Sequence, residues 1–295
     1  MNLNHLKLST IALALLSTVG CSTVDVPAAK AVAPMKTVTG VQVEPAKYPQ
    51  FAEILKASKL QISVPNAKPG SKEEMAEDGN FSGIVTENFY VDQGSEALVF
   101  KMEGYKLRNE LRVLENFKTN DPHTFHRLTA KLLLVDPYGS IKNSPAKNNE
   151  MTVLQVHNKG TADDGKHGVG YIPHPLLRVV WLGDRNGVKN HYWAVIKTNA
   201  LDCSKKTGTP DNPECKDSYT KIDLGAASAT VPTKFDIIVG GEKLVINVDG
   251  ETKVDHSLSY WTHMLSYFKA GVYNQFKDGQ SNGHFYQLEY VTETK

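Results

Sequence analysis

Charge of one sign is what this sequence most plainly lacks. Lysines and arginines number 33 and aspartates and glutamates 32, for a formal net charge of +1. No global field draws in a polyanion, so any attraction to one must be local. There is no basic tract, recognition-helix pattern or zinc spacing, so nothing reads as a nucleic-acid module. His167, His174, His191, His256 and His263 are scattered, without an HExxH spacing. Asp163-Asp164-Gly165 lacks the ligand periodicity of a calcium loop. A GxSxG nucleophile elbow, a phosphate-binding glycine loop and a dinucleotide fingerprint are all missing. Long hydrophobic runs are missing too. The apolar stretch from Leu8 to Val19 is too short to span a bilayer and fits a secretory h-region.

Cysteine is scarce, with three in 295 residues. Gly20-Cys21-Ser22 closes the apolar stretch and resembles a bacterial lipoprotein cleavage site, although Thr18 stands where such sites usually carry Leu. Residues 1–21 are therefore read as a lipoprotein-type signal with Cys21 acylated, and ordinary signal cleavage is the alternative. Ser22 rather than Asp after the cysteine favours the outer membrane by the same resemblance. The expectation is an exported chain that meets the membrane only through its lipid. Residues 22–47, rich in Ala, Val, Pro, Thr and Lys without periodicity, read as a tether. Cys203 and Cys215 flank a loop-like stretch, Lys205 to Pro213. In an exported chain that predicts a disulfide worth roughly 3 kcal/mol in the chain-entropy model. A metal there would lack neighbouring ligands.

Residues 48–295 have the length of one domain. A weak helical pattern over Tyr48–Leu60 gives way to many short strands. Expected strands lie within Leu60–Val64, Val85–Val91, Ala97–Met102, Arg108–Leu114, Phe125–Val135, Leu154–His157, Leu176–Leu182, His191–Thr198 and His284–Val291. Phe235–Val239 and Lys243–Val248, joined at Gly240-Gly241, read as a hairpin that Asp249-Gly250 turns into a third strand. Residues 66–80 read as loop. The pattern argues for an all-β sandwich or jelly roll of antiparallel sheets.

Three of these stretches share one design. As a strand, Tyr267-Phe268-Lys269-Ala270-Gly271-Val272-Tyr273-Asn274-Gln275 puts Tyr267, Lys269, Gly271, Tyr273 and Gln275 on one face and Phe268, Ala270 and Val272 on the other. Gly271 leaves room for something to lie against the backbone. Arg108, Glu110 and Arg112 share a face opposite Leu111 and Val113, and Gln155 and His157 share one opposite Leu154 and Val156. In one sheet these residues would make a polar face suited to an anionic ligand. Taken singly, a Gln-Val-His triplet is usually a solvated strand face, and an Arg-Glu-Arg ladder is usually a surface ion pair.

RNELR (108–112), QVH (155–157) and YFKAGVYNQ (267–275) resemble, in order, the three signature blocks of the polysaccharide lyase family 7 alginate lyases. Asn109 stands where Ser or Thr is usual. The resemblance covers roughly residue 50 to the end. It implies a β-jelly roll with a substrate groove on its concave sheet, and cleavage of a 1,4-linked uronate polymer by β-elimination. A base takes the C5 proton beside the carboxylate, an acid protonates the departing O4, and an unsaturated uronate is left at the new non-reducing end. By resemblance, Arg112, Gln155 and His157 neutralise the carboxylate and Tyr273 transfers protons, with Arg108 sharing the arginine role. In mannuronate, Tyr273 serves as base and acid; in guluronate, His157 is the base and Tyr273 the acid. Glu110 is expected to hold the arginines, Lys269 to contact substrate, Gln275 to bind or orient it, and Tyr267 either to contact substrate or to pack. Tyr273 needs nearby cations to ionise, and Lys269 and the arginines are the candidates.

The implied partner is alginate. No cofactor or metal is expected, since the elimination needs no redox group and side chains neutralise the carboxylate. A monomer is expected. Val156 leans toward mannuronate, and the Cys203–Cys215 loop and residues 158–175 are expected walls of the groove. Two other readings stay open. One is a non-catalytic polyuronate-binding jelly roll, against which the pairing of His157 with Tyr273 argues. The other is a lyase for another polyuronate such as a glucuronan.

Overall fold

Alternating apolar and polar residues dictate strands that bury one side each, and the computed structural model is built almost wholly from such strands. It describes residues 37–295 apart from 66, 143–148, 161–174, 199–217 and 263. Cys21, Cys203, Cys215 and residues 161–174 of the 158–175 segment lie outside the described residues. In chain order the strands are β1 (Gln42–Val43), β2 (Ser58–Ile62), β3 (Glu73–Met75), β4 (Phe89–Asp92), β5 (Leu98–Glu103) and β6 (Arg108–Val113). Then come β7 (Phe117–Lys118), β8 (Thr124–Leu134), β9 (Ile141–Lys142), β10 (Glu150–Gly160), β11 (Leu177–Arg185) and β12 (Val188–Lys197). The last six are β13 (Tyr219–Ala226), β14 (Thr233–Gly240), β15 (Lys243–Val248), β16 (Glu251–Ser257), β17 (Leu265–Asn274) and β18 (Asp278–Thr294).

Among the described residues these strands form two nine-stranded sheets. One runs β1-β4-β5-β18-β8-β14-β15-β16, with β9 beside β18. The other runs β13-β12-β11-β10-β17-β6-β2-β3, with β7 beside β17. Neighbours throughout are antiparallel. Long-range pairing of β18, near the end of the chain, with β5 and β8 and of β17 with β6 and β10 gives the jelly-roll sandwich. The inward faces share one core. Phe89, Phe100, Leu132 and Phe285 of the first sheet join Leu111, Leu154, Val156, Trp181, Phe268 and Val272 of the second. Each such fully buried side chain contributes about 1.5–3 kcal/mol.

The departures from the sequence reading are local. Gln42 and Val43, inside the stretch read as tether, pair with β4, so the first sheet begins before residue 48. Asp92 fastens this segment, accepting hydrogen bonds from the Thr39 and Gly40 amides. Within 66–80, read as loop, Glu73–Met75 forms an edge strand on β2. The helical pattern near Tyr48 is realised as two short pieces, Pro49–Phe51 and Ala52–Lys56. The β14–β15 hairpin turns on Gly241 and Glu242, both at positive φ, as a tight two-residue turn requires.

Candidate active site

The second sheet places the three sequence stretches side by side at its centre, as β6, β17 and β10. Lys269 is the register partner of both Arg112 on β6 and Gln155 on β10. Tyr273 lies between Arg108 and Thr152, and Tyr267 lies opposite His157. Phe268, Ala270 and Val272 point into the core, as alternation predicts. The predicted polar face therefore exists, and Arg108, Glu110, Arg112, Gln155, His157, Tyr267, Lys269 and Tyr273 all belong to it. Gln275 follows the end of β17, its backbone N–H donating to the Glu150 carbonyl at 2.9 Å.

Glu110 is the hub. It is 2% exposed and accepts from the Lys269 ammonium and the Gln155 amide, with Arg108 Nη1 3.6 Å away. Its role is wider than holding arginines. It fixes the Gln155 amide and compensates an ammonium that is itself 1% exposed. Burial still pushes Lys269 down to about 8. Lys269 is thus a buried structural cation, although the sequence reading made it a substrate contact and a promoter of Tyr273 ionisation.

The two arginines of β6 divide their work. Arg112 donates to the carbonyls of Val113 and Leu114 at 2.6 and 2.7 Å and to Asn116 Oδ1 at 2.5 Å. Its guanidinium also lies 4.1 Å from the Tyr267 ring centroid. Tyr267 in turn stacks on His157, with ring centroids 5.3 Å apart. Arg112, Tyr267 and His157 thus form one continuous stack. Arg108 is not tied into the main chain. It stacks on Tyr273 at 4.5 Å, and its Nε is buried without a partner. That leaves Arg108 as the arginine with hydrogen-bonding capacity for a carboxylate. His157 Nδ1 is 3.0 Å from the Asn158 carbonyl. A carbonyl only accepts, so Nδ1 carries the hydrogen and Nε2 is the basic nitrogen of the neutral ring.

Tyr273 is held as a phenol. Burial raises it above its ordinary 10.0 against the pull of Arg108 and Arg178. The cations expected to favour ionisation are present, but in the resting site burial outweighs them. Gly271 also has a different role from the one expected. A Cβ there would sit 2.2 Å from the Asn109 carbonyl oxygen, at φ +143°. What lies against Gly271 is the backbone of β6, not a ligand. Asn109 is buried and donates to the Asn88 and Lys101 carbonyls, tying β6 to the segment around β5.

The sequence reading missed Arg178 and Glu150. Arg178 is opposite Gln155 on β11 and is ion-paired with Glu150. A lone arginine in the apolar run Leu176–Leu182 was the available signal, because such a charge is almost never buried unpaired.

With this geometry in place, comparison with known proteins decides the family. Residues 55–292 match the alginate lyase family. The chain belongs to that family. A curated alginate lyase from Photobacterium sp. (strain ATCC 43367) is 53% identical over 255 residues, covering 85% of this chain and 88% of its own. Among solved structures, alginate lyase AlyC3 in complex with dimannuronate is 50% identical, with TM-score 0.82, and covers 87% of this chain and 97% of its own. Alginate lyase A1-II′, of polysaccharide lyase family 7, shares the fold at 19% identity and TM-score 0.58, covering 84% and 99%. The protein is thus a polysaccharide lyase, and the lyase carries its polar face on the four central strands of one sheet.

Proposed function

We propose that this lyase is a family 7 enzyme that cleaves alginate by β-elimination, and that Arg108, Gln155, His157 and Tyr273 carry the reaction. The supporting observation is one sheet face that brings together an arginine free of main-chain ties, a histidine with Nδ1 committed and a half-buried phenol, with Glu110 holding the Gln155 amide and pairing with Arg108 among them. Arg108 and the Gln155 amide donate to the uronate carboxylate, where negative charge builds as C5 loses its proton. Tyr273 lies beside them to move protons between C5 and O4. On mannuronate it takes the first proton and returns one to the leaving oxygen. On guluronate, His157 Nε2 takes the C5 proton and Tyr273 serves as acid. Arg112 and Tyr267 orient His157.

A preference for mannuronate belongs to the same proposal. It is supported by Val156 and by the relative solved with dimannuronate. Export and acylation at Cys21 belong to it as well. The test is ultraviolet absorbance of the conjugated double bond on mannuronate-rich and guluronate-rich polymer. Wild type should raise it faster on the mannuronate-rich polymer. Tyr273→Phe should lose about 10²–10⁴ in kcat with its fold intact. A variant as active as wild type removes Tyr273 from its role, and binding without absorbance gives the chain to a binding module.

A further inference from the structure

We propose that Arg178, fixed by Glu150, is a positioning residue for Tyr273, its guanidinium stabilising the phenolate formed when Tyr273 gives up its proton. This rests on the elimination reading above. The placement follows from the register. Arg178 lies opposite Gln155, and Leu182, four residues along β11, lies opposite Glu150. At strand rise those two levels are about 13 Å apart. The Arg178 and Glu150 side chains meet across that gap, which carries them over the level of Thr152 and Val180. Thr152 is the register partner of Tyr273 on its other side. It is fully buried, with its hydroxyl unpartnered. One strand, β10, therefore separates Arg178 from Tyr273, and the residue between them at this level, Thr152, is buried and makes no side-chain hydrogen bond.

Burial makes this arrangement informative. Arg178 is 8% and Glu150 9% exposed. A buried ion pair is weak as a stabilising device, since well-packed apolar residues commonly do as well. Val180, Leu182, Trp193 and Val195, all buried in one apolar cluster, show that this part of the same face accepts apolar residues. A charge pair placed there points to the field it creates.

The charged and titratable groups acting on Tyr273 come from each neighbouring element. Arg108 on β6 and Arg178 on β11 favour the phenolate, while Glu110 on β6 and Tyr105 before it oppose it. Lys269, on β17 itself, is spent on Glu110. On the far side, Glu150 and Tyr219 face Arg178. Burial has already pushed the phenol upward, so each of the two cations matters to the population of the base.

The experiment is kcat against pH on mannuronate-rich alginate for the intact lyase and three variants. Arg178→Gln should move the rising limb up by about one pH unit and lower kcat about tenfold at neutral pH, with KM near wild type. Arg178→Lys should keep the limb near wild type. Glu150→Gln, which leaves the cation and removes its counter-charge, should move the limb down. A purely structural role would lower activity in both neutral variants without opposite shifts. Arg178→Gln and wild-type profiles that superimpose after scaling would overturn the proposal. If Arg178→Gln does not melt cooperatively, Glu150→Gln decides, and a limb that is unmoved or raised overturns it. A wild type that yields no unsaturated product would instead remove the elimination reading, so the two failures are distinguishable.

Discussion

Replacing Glu110 by glutamine removes one negative charge from the centre of the site while barely changing its shape. The Lys269 ammonium, 1% exposed, then keeps its burial and loses its counter-charge. Stripping one partner from a buried pair costs about 3–5 kcal/mol. At about 2–4 °C per kcal/mol for a domain of this size, the melting temperature falls by on the order of 10 °C. The pH dependence identifies the cause. Lys269 sits at about 8, below its ordinary 10.5. Between those values the unfolded chain binds more protons than the folded one, so this lysine makes stability rise with pH from about 8 toward 10.5. Without Glu110 the folded value drops further, and the rise starts at lower pH. The gap between Glu110→Gln and wild type is therefore widest below about pH 7 and narrows toward pH 9. Calorimetry across that range measures it. Adding Lys269→Met removes the orphaned charge and recovers most of the loss. A gap that is flat with pH, or a double variant no more stable than the single one, refutes this account.

Gly271→Ala forces a Cβ against the β6 backbone at positive φ, and should cost about 2–3 kcal/mol, read as a lower urea midpoint at unchanged slope. His284 is buried and pushed down to about 4 from 6.5. Between those values the unfolded chain takes the proton first, so stability falls as pH drops from 6.5 to about 4, by roughly 3 kcal/mol at most. His284→Gln should flatten that part of the stability profile, and an unchanged acid slope would assign the loss to other groups.

The site was legible because β6 and β17 alternate strictly between faces. Arg108, Glu110 and Arg112, and Lys269 and Tyr273, declare a common face through period two alone, and the core confirms the opposite set. What stayed hidden depends on side-chain direction or on irregular backbone. Both β6 arginines share a face, yet one is bound to main-chain carbonyls and Asn116, a difference set by side-chain direction that period two does not encode. β10 is shifted between Thr152 and Leu154, so Val153 and Leu154 both enter the core. That shift brings Glu150 and Thr152 to the same side as Gln155, which alternation counted from His157 would not place there. Arg178 reads as one charge in an apolar strand until its partner is found. The short strands β3, β7 and β9 carry too few residues to show a period.

The proposed reacting groups and their supports sit on β11, β10, β17 and β6, the middle four of the eight strands along their sheet. None of the four reacting groups, Arg108, Gln155, His157 and Tyr273, is on an edge strand or a connecting loop. Edge strands fray first in native-state hydrogen exchange, while central strands open only with the whole molecule. Local breathing therefore leaves the chemistry assembled. Thermal inactivation of this lyase should coincide with global unfolding, and the amides of β17 should exchange at the slowest, global rate.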